Sequence, residues 1–286
     1  MIMGQIVLSV VVPVVNPEID IANIRRLIKS LTPQGIEIVI IHDNRTGEMS
    51  ETLLDLMKSF PRVTLKLLDG NYGSAGEARN AGLKQATGDW ISFCDSDDFQ
   101  RIGVMLEEIG NASSAELLVG QFIRVTQKGE IVESVNTKSL SELCIDPGFW
   151  RIAYRRSTLA GIKFSNLQMG EDIVFLAGVL RLNPQVVFTN SVFYEYRVGS
   201  PSQSTSKPAN FKDISKAKGL IQKQNPNWGK NANDFGFIMR LSLTNLKHTD
   251  NSMKAQEIRS LLQIACKNPR AFFSFLTKRS SQAGLK

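Results

Sequence analysis

Cysteine and histidine are scarce in this chain of 286 residues. The three cysteines, Cys94, Cys144 and Cys266, lie far apart and form no CxxC pair. This spacing favours a reduced, cytoplasmic setting over a disulfide-stabilised secreted protein. The two histidines, His42 and His248, are too few for a histidine-rich zinc centre.

Long apolar runs are also lacking. No stretch reaches the roughly 18 apolar residues that a membrane-spanning helix needs. The apolar run at 6–15 has no basic segment before it and contains Pro13, so it predicts a strand rather than a signal peptide. The composition, with 42% hydrophobic and 21% charged residues, is that of a soluble globular protein.

Positive charge is concentrated at the C-terminus. The formal net charge is +7, and residues 254–286 contain seven Lys or Arg and one Glu, so the rest of the chain is nearly neutral. No nucleic-acid recognition motif accompanies this charge, and we therefore expect no nucleic-acid partner. A basic tail is better suited to an anionic membrane surface or an acidic, lipid-linked partner.

Apolar strands alternate with helical segments in the N-terminal part. The predicted strands are 6–12, 36–41, 63–67 and 90–94, and the predicted helices are 19–31, 50–59 and 74–86. We expect Pro13 to end the first strand, since proline cannot donate to a ladder. The alternation predicts an α/β fold with a Rossmann-like, doubly wound, mostly parallel sheet. Later segments predict a strand at 115–126 with a hairpin at 128–129, a helix from 171 to about 182, and helices beyond 210.

Three aspartates within four positions, Asp95, Asp97 and Asp98, follow the fourth predicted strand. Open α/β sheets bind nucleotides at the carboxyl ends of their strands. Carboxylates this close repel one another, unless a divalent cation lies between them. The cluster therefore predicts a metal–diphosphate site, with a solvated turn as the alternative. We expect Asp98 to be the N-cap of a helix that begins near residue 101.

Other charged residues have two interpretations each. Asp43, at the end of the second strand, either accepts hydrogen bonds from a base or ribose or forms a turn. Asp172, in the pair at 171–172, is either a general base or a helix-start carboxylate. Arg79 reaches a phosphate or pairs with a nearby carboxylate. Arg197 precedes a loop of small residues, 199–202, and either contacts an anionic ligand or is a surface arginine. Residues 149–156 mix aromatic and cationic side chains and are predicted to line a cleft.

Several motifs resemble those of family 2 glycosyltransferases of the GT-A fold, of the bacterial surface-polysaccharide type. They are VVVPVVN at 10–16, NYG at 71–73, ARNAG at 78–82, ATG at 86–88, FCDSDD at 93–98, GED at 170–172 and YRVGS at 196–200. Each motif alone is weak, but together they follow the family's order on the expected elements. The resemblance covers roughly residues 7–204.

The resemblance implies an inverting glycosyltransferase. Such an enzyme moves one sugar from a nucleotide-diphosphate sugar to an acceptor hydroxyl, with Mn²⁺ or Mg²⁺ as cofactor. It implies that Asp172 is the general base and that Asp97 ligates the metal. The candidate nucleotide-sugar-binding residues are Pro13, Val14, Val15, Glu18, Asp43, Gly73, Arg79, Asp95, Ser96 and Arg197.

The resemblance also implies a domain division and partners. We expect a GT-A catalytic domain at 1–208, with a nucleotide-binding half at 1–98 and an acceptor half at 99–208, and a helical basic extension at 209–286. The acceptor would be a glycan or lipid-linked glycan at the inner face of the plasma membrane. The extension carries a set of apolar and basic residues that would contact the membrane, pack on the catalytic domain or form a homodimer contact. Its members are Leu261, Leu262, Ile264, Phe272, Phe273, Phe275, Leu276, Lys278 and Arg279.

The chain departs from the family pattern at two places. His42-Asp43-Asn44-Arg45 stands where the family usually has DDGS, and Val15 replaces the tyrosine of the opening motif. The Q/RxxRW signature of processive members is absent, which favours transfer of a single sugar.

Two alternatives to a glycosyltransferase stay open at this point. One is a sugar-phosphate nucleotidyltransferase, although the glycine-rich loop expected after the first strand has no counterpart at 13–16. The other is a catalytically silent scaffold that binds a partner. The presence of Asp95, Asp97 and Asp172 argues against the scaffold.

Overall fold

The computed structural model describes residues 6–31, 35–44, 47–199, 212–248, 251–269, 272–273 and 275–277. The strands are β1 (Leu8–Val14), β2 (Ile36–Asp43), β3 (Thr64–Gly70), β4 (Trp90–Phe93), β5 (Phe99–Gln100), β6 (Leu117–Val125), β7 (Ile131–Val135), β8 (Ile152–Arg155) and β9 (Val186–Arg197). The helices are α1 (Pro17–Lys29), α2 (Glu51–Ser59), α3 (Ala75–Gln85), α4 (Ile102–Asn111), α5 (Leu140–Ile145), α6 (Glu171–Leu180), α7 (Lys212–Gln224), α8 (Ala232–His248) and α9 (Asn251–Lys267). Within these ranges no helix has the length and apolarity needed to cross a membrane.

The chain forms two compact units whose segments alternate along the sequence. The first unit comprises residues 1–137, 149–166 and 183–203, and the second comprises 138–148, 167–182 and 204–286. All strands named above and α1–α4 belong to the first unit, whereas α5–α9 belong to the second. These units are not the predicted halves 1–98 and 99–208, and that domain division stays a prediction.

The sheet of the first unit has the order β3-β2-β1-β4-β8-β6-β9-β5, with β7 beside β6. Strands β3, β2, β1 and β4 pair in parallel, as the alternation predicted. From β4 onward the pairing is antiparallel, except between β6 and β9. Every residue of β1 and β2 is buried, which matches the continuous apolar runs typical of central parallel strands.

Pro13 does not end the first strand, so that prediction was wrong. It lies inside β1 and pairs with Ile41 of β2. The pairing of β1 with β4 stops at Val11 and Phe93, so Pro13 lies where β1 has one paired neighbour. A proline is tolerated at this position because its missing N–H group faces the β4 side, as the Val11 carbonyl does, and the pairing with β4 has ended there.

The aromatic residues of the segment 149–156 do not line a cleft, so that part of the prediction was wrong, whereas Arg155 and Arg156 do line a cavity. Phe149, Arg151 and Tyr154 are at most 2% exposed, and Trp150 is also buried. The Trp150 ring stacks on that of Tyr194 at a centroid distance of 4.1 Å. The aromatic residues therefore form part of the core beneath β9.

A buried carboxylate fixes the turn between α3 and β4. Glu37 of β2 is 1% exposed and accepts hydrogen bonds from the Ser9 hydroxyl (2.5 Å) and the Thr87 amide (2.5 Å). The ammonium group of Lys66 lies 2.7 Å from its other oxygen. Burial by itself raises the pKa of Glu37, but these bonds outweigh it and leave the pKa below its usual value. A β-carbon at Gly88 would lie 2.7 Å from the Ser9 amide nitrogen, so only glycine fits there.

The helices of the second unit are joined by buried polar contacts. Lys218 of α7 lies 2.6 Å from the carboxylate of Glu257 in α9, and the side-chain amide of Asn245 donates to the same carboxylate. Arg181, directly after α6, pairs with Asp234 of α8 at 3.2 Å. Because each buried charge has a partner, its desolvation is compensated.

Candidate functional site

Polar side chains gather where the parallel strands of the first unit end. Asp43 is the last residue of β2, and the acidic segment 95–98 follows β4. Strand β1 lies between these two strands in the sheet. The two acidic groups therefore share the carboxyl edge of the parallel strands, as predicted, and this edge is where open α/β sheets bind ligands.

Asp43 holds the segment that follows β3. Its Oδ1 accepts hydrogen bonds from the backbone amides of Tyr72 (2.7 Å) and Gly73 (3.0 Å). Gly73 has a φ of 74°, in the left-handed region that favours glycine. Asp43 is 3% exposed. Its contact with a base or ribose stays a prediction, and its structural role is to shape the loop at 71–73.

The residues that depart from the family pattern at this edge connect β2 to β3. The His42 Nδ1 lies 2.6 Å from Asp69 Oδ1, and the Asn44 side-chain amide donates to Asp69 Oδ2 at 3.0 Å. Both side chains are buried. Residues 45–46 lie outside the described part of the chain.

Arg79 is paired with Asp95. Its Nη2 donates to Asp95 Oδ1 at 2.7 Å, and its guanidinium group lies over the rings of Phe149 (4.7 Å) and Phe164 (5.5 Å). The arginine side chain is 5% exposed and that of Asp95 is 28% exposed. Of the two interpretations of Arg79, the structure shows the pairing with a sheet-end carboxylate. The arginine thereby fixes the orientation of Asp95.

Helix α3 brings Arg79 to this position. The Ser74 hydroxyl accepts from the Glu77 amide at 3.2 Å and caps the helix. Further along, a β-carbon at Gly82 would lie 2.5 Å from Val11 and 2.6 Å from Ile41. The glycine of the ARNAG motif therefore allows α3 to pack closely on β1 and β2.

Asp98 is not a helix cap, and that prediction was wrong. The N-cap of α4 is Arg101, without a side-chain capping bond. Asp98 instead accepts from the Tyr194 hydroxyl at 3.0 Å and from the backbone amide of Arg197 at 2.7 Å. Its burial, reinforced by the charges of Asp97 and Asp95, raises its pKa well above the usual range. The carboxyl group connects the acidic turn to β9.

Two polar residues of α1 also hold this turn. Asp20, which is 2% exposed, accepts from the Ser96 hydroxyl at 2.7 Å. Burial raises the pKa of Asp20, although the Ser96 bond opposes this. Asn23 donates to the backbone oxygen of Asp97 at 3.4 Å and accepts from Arg197 Nη1 at 2.7 Å.

Asp20, Asn23 and Tyr194 were not among the residues predicted from the sequence. A signal for Asp20 existed, because it lies four positions before Ile24 and seven before Leu27, on the apolar face of a helix. A charged residue on such a face needs a buried partner. No comparable signal exists for Tyr194, since Phe193 and Tyr196 of the same strand are aromatic as well.

The other predicted donor-site residues differ in accessibility. Pro13 and Val14 are buried, so a ligand would meet the strand end rather than the side chain of Val14. Val15 is 46% exposed. Glu18 accepts from the Thr52 hydroxyl at 2.6 Å. Contact of these residues with a donor stays a prediction.

Asp172 belongs to the second unit. It lies in the first turn of α6, after Gly170, whose φ is 85°. The Ile173 amide donates to its Oδ1 at 2.8 Å. Its predicted role as general base stays a prediction.

The donor atoms of the acidic turn suit a divalent cation that is shared with a substrate. Mg²⁺ and Mn²⁺ prefer carboxylate and phosphate oxygens, and proteins commonly supply only one or two carboxylates to them. Within the described residues no group of three or more His, Cys, Asp or Glu side chains forms a complete metal site. The carboxylates of Asp97 and Asp95 are the donors that would hold such a cation, and this role stays a prediction.

Comparison with known proteins gives consistent matches. The family described as "Glycosyl transferase family 2" matches residues 9–168. An uncharacterised glycosyltransferase of Haemophilus influenzae is 24% identical over 212 residues, which cover 72% of this chain and 84% of that protein. The succinoglycan biosynthesis protein ExoO of Rhizobium meliloti is 27% identical over 205 residues, covering 63% of this chain and 58% of that protein.

Solved structures share the fold. Staphylococcus aureus TarS 1–349 in complex with UDP-GlcNAc matches with a TM-score of 0.70 and 19% identity, over 94% of this chain and 83% of that chain. The mannosyltransferase PcManGT of Pyrobaculum calidifontis, in complex with GDP-Man and Mn²⁺, matches with a TM-score of 0.56 and 14% identity, over 98% and 81%. These matches agree with the predicted GT-A fold followed by a helical C-terminal part.

Proposed function

This chain belongs to glycosyl transferase family 2, and on that premise we propose that it moves one sugar from a nucleotide-diphosphate sugar to a glycan hydroxyl, with inversion at the anomeric carbon. The observation that carries the proposal is the ordered acidic turn after β4, where Arg79 holds Asp95 at 2.7 Å beside Asp97. Relatives with UDP-GlcNAc or GDP-Man bound support a nucleotide-sugar donor. The family match does not favour the nucleotidyltransferase or scaffold alternatives.

The donor would bind along the carboxyl edge of the parallel strands. Asp43 and the loop at 71–73 are proposed for the base and ribose, and Asp95 for the ribose. Arg79 keeps the Asp95 carboxylate oriented, so that this side chain loses little conformational entropy when the donor binds. Asp97 is proposed as the ligand of Mn²⁺ or Mg²⁺.

The metal would stabilise the leaving group, and one carboxylate would act as the general base. A bound cation stabilises the negative charge that develops on the leaving nucleoside diphosphate. The acceptor oxygen attacks the anomeric carbon as the bond to the diphosphate breaks, and Asp172 is proposed to take the hydroxyl proton. Attack from the face opposite the leaving group inverts the configuration. No second catalytic acid is required.

An Asp97→Ala variant tests the proposed function. Donor hydrolysis and transfer should require Mn²⁺ or Mg²⁺ and should fall about 100-fold or more in this variant, because Lewis-acid stabilisation contributes several kcal/mol and about 1.4 kcal/mol is a factor of ten. The donor is first identified by a thermal-shift screen of nucleotide-sugars with Mn²⁺. Asp55→Ala, at an exposed position of α2 paired with Lys58, is the matched control and should retain activity. Full, metal-independent activity of Asp97→Ala would refute the mechanism.

We further propose a lipid-linked acceptor and a peripheral position at the inner face of the plasma membrane. In the C-terminal part, Leu262 and Phe273 are 59% and 65% exposed, whereas Ile264 and Phe275 are buried. The buried pair supports packing within the protein, and the exposed pair supports membrane contact next to basic residues. The predicted contributions of Lys278 and Arg279 lie outside the described residues. A homodimer stays a prediction.

Co-sedimentation with phosphatidylglycerol vesicles tests the membrane contact. Because Ile264 and Phe275 are buried, truncation risks unfolding, and the double variant Leu262→Ser/Phe273→Ser is the better probe. It should bind these vesicles less than the wild type does. Leu182→Ser, at another exposed leucine, is the control and should bind as the wild type does. Equal binding by all three proteins would favour packing alone.

A further inference from the structure

A cavity of about 350 Å³ in the first unit is lined by cationic side chains. Arg26 of α1, Arg101 before α4, Lys128 of the β6–β7 hairpin and Arg197 of β9 line it together with one carboxylate, Glu195. We call it the Arg26–Arg101 cavity. Its excess of positive charge indicates an anionic occupant.

The two arginines that name the cavity are held in place. Glu195 Oε2 lies 3.0 Å from Arg26 Nη2, and Glu195 Oε1 lies 3.0 Å from Arg101 Nε. The Arg26 guanidinium group also lies over the Phe99 ring at 3.8 Å. Each oxygen of the carboxylate thus has a cationic partner. Fixed guanidinium groups lose little conformational entropy when they bind a phosphate.

Two cationic side chains of this cavity have hydrogen-bond donors that no described residue accepts. Arg101 uses its Nε for Glu195, and its two terminal nitrogens meet no acceptor in the described part of the chain. The ammonium group of Lys128 likewise has no acceptor among the described residues, at the tip of an exposed hairpin. Planar guanidinium groups match the oxygens of a phosphate, and an ammonium group adds a point charge.

One wall of the cavity is apolar. Ile123, Val125 and Ile131 line it, and Ile131 is 64% exposed. Its neighbour Val132 is 60% exposed. An anionic group next to an exposed apolar surface suits a ligand in which a phosphate is joined to a hydrocarbon chain.

The cavity is connected to the acidic turn. Arg197 lines the cavity, donates from Nη1 to Asn23 at 2.7 Å, and donates from its backbone amide to Asp98. Asn23 in turn donates to the backbone oxygen of Asp97 at 3.4 Å. A ligand in the cavity would therefore lie next to the turn proposed for the donor diphosphate.

We infer that the Arg26–Arg101 cavity binds the phosphate group of the acceptor, a phosphate or diphosphate that is joined to a hydrocarbon chain and carries the growing glycan. This inference rests on the proposed function and specifies its acceptor. The donor uses the acidic turn with a cation, whereas the acceptor phosphate uses cationic side chains directly.

Geranyl diphosphate, titrated calorimetrically into the full chain in the presence of EDTA, tests the inference. EDTA removes divalent ions, so that the diphosphate is not drawn to the acidic turn. The wild type should bind it, and Arg101→Gln/Lys128→Gln should bind it about tenfold more weakly or worse, because the variant lacks two cationic hydrogen-bond donors. Geraniol, which lacks the phosphate groups, should not bind either protein.

The matched control removes the same charge elsewhere. Lys58→Gln/Arg156→Gln changes two exposed cations that are remote from the cavity in sequence, and it should bind geranyl diphosphate as the wild type does. Equal weakening in both double variants, equal binding in all three proteins, or no binding by the wild type would overturn the inference. Thermal unfolding of each variant verifies that it is folded.

Three further measurements separate the possible explanations. Inorganic pyrophosphate should bind more weakly than geranyl diphosphate, and equal binding would overturn the role of the apolar wall. Vesicles of phosphatidylglycerol should bind both double variants equally, because the inferred ligand is the acceptor and not the bilayer. A panel of UDP, GDP and CDP with Mn²⁺ is titrated into the wild type in parallel. Failure of that panel counts against the proposed function, whereas the geranyl diphosphate result bears on the cavity.

Discussion

The hydroxyl group of Tyr194 donates a hydrogen bond to Asp98 at 3.0 Å, across a sequence separation of 96 residues. The same hydroxyl oxygen accepts from the backbone amide of Asp95 at 3.1 Å. Strand β9 thus holds both ends of the acidic turn through one side chain. The Tyr194 ring is in turn fixed by the stacked ring of Trp150. The geometry of the candidate metal ligands therefore depends on a strand that is distant in sequence.

Tyr194→Phe should weaken the use of metal. The variant keeps the ring and removes the hydroxyl, so the turn at 95–98 loses both of its hydrogen bonds to Tyr194, although the Arg197 amide still donates to Asp98. We expect a higher metal concentration for half-maximal activity and a loss of about tenfold in kcat/KM, since one hydrogen bond to a charged group contributes about 1.5–3 kcal/mol. Tyr154→Phe is the control, because it removes a buried hydroxyl that donates to the Phe149 carbonyl at 2.9 Å. Equal metal dependence in the two variants would show that Tyr194 is only structural.

Gly82→Ala should destabilise the first unit. The added β-carbon would meet Val11 and Ile41, both fully buried, at 2.5 and 2.6 Å. Overpacking of this kind costs about 1–3 kcal/mol, more than the roughly 1 kcal/mol gained from helix propensity. Gly219→Ala, in α7, has open space around its β-carbon and should be neutral or stabilising. Urea unfolding measures both, and a Gly82→Ala variant as stable as the wild type would contradict the packing argument.

Glu37→Gln should destabilise the protein in a pH-dependent way. Burial opposes ionisation of Glu37, but its hydrogen bonds and Lys66 lower its pKa below the usual value. A lowered pKa means that the ionised form stabilises the folded state. This contribution is complete above the pKa of an unfolded glutamate, about 4.3, and is lost as the pH falls through the lower pKa of the folded state.

The measurement compares free energies of unfolding at several pH values. Near neutral pH we expect the Glu37→Gln variant to be about 1–3 kcal/mol less stable than the wild type, because an uncharged amide with one acceptor oxygen cannot both bond Ser9 and Thr87 and pair with Lys66. The difference should shrink in acid. A difference that stays constant down to the acid limit would show that the carboxylate charge contributes nothing.

Asp172→Asn should abolish transfer and spare donor binding. Loss of a general base lowers turnover by about 100-fold to 10,000-fold. The amide keeps the size of the side chain, so the affinity for a nucleoside diphosphate with Mn²⁺ should be unchanged in calorimetry. Glu171→Gln, the adjacent carboxylate in the same helical turn, is the control and should retain turnover. An unchanged kcat in Asp172→Asn would exclude this residue as the base.

Local patterns predicted much of the nucleotide-binding side. The parallel strands β1–β4, the helix α3 and the hairpin at 128–129 are confirmed. Each depends on residues close together in sequence, such as a continuous apolar run or a glycine in a turn. The wrong predictions, for Pro13, Asp98 and the aromatic residues at 149–154, all concern which neighbours a residue meets across the fold.

The sequence by itself determined that three aspartates follow a buried strand, and that this strand belongs to a parallel sheet with Asp43 at the same edge. These features follow from periodicity and from motif order. Only the tertiary structure decided the partner of each carboxylate. Arg79 donates a hydrogen bond to Asp95, and Asp98 accepts one from Tyr194 instead of capping a helix. The physical reason is that a buried carboxylate requires a donor, and the strand order of the sheet selects which distant donor lies within reach.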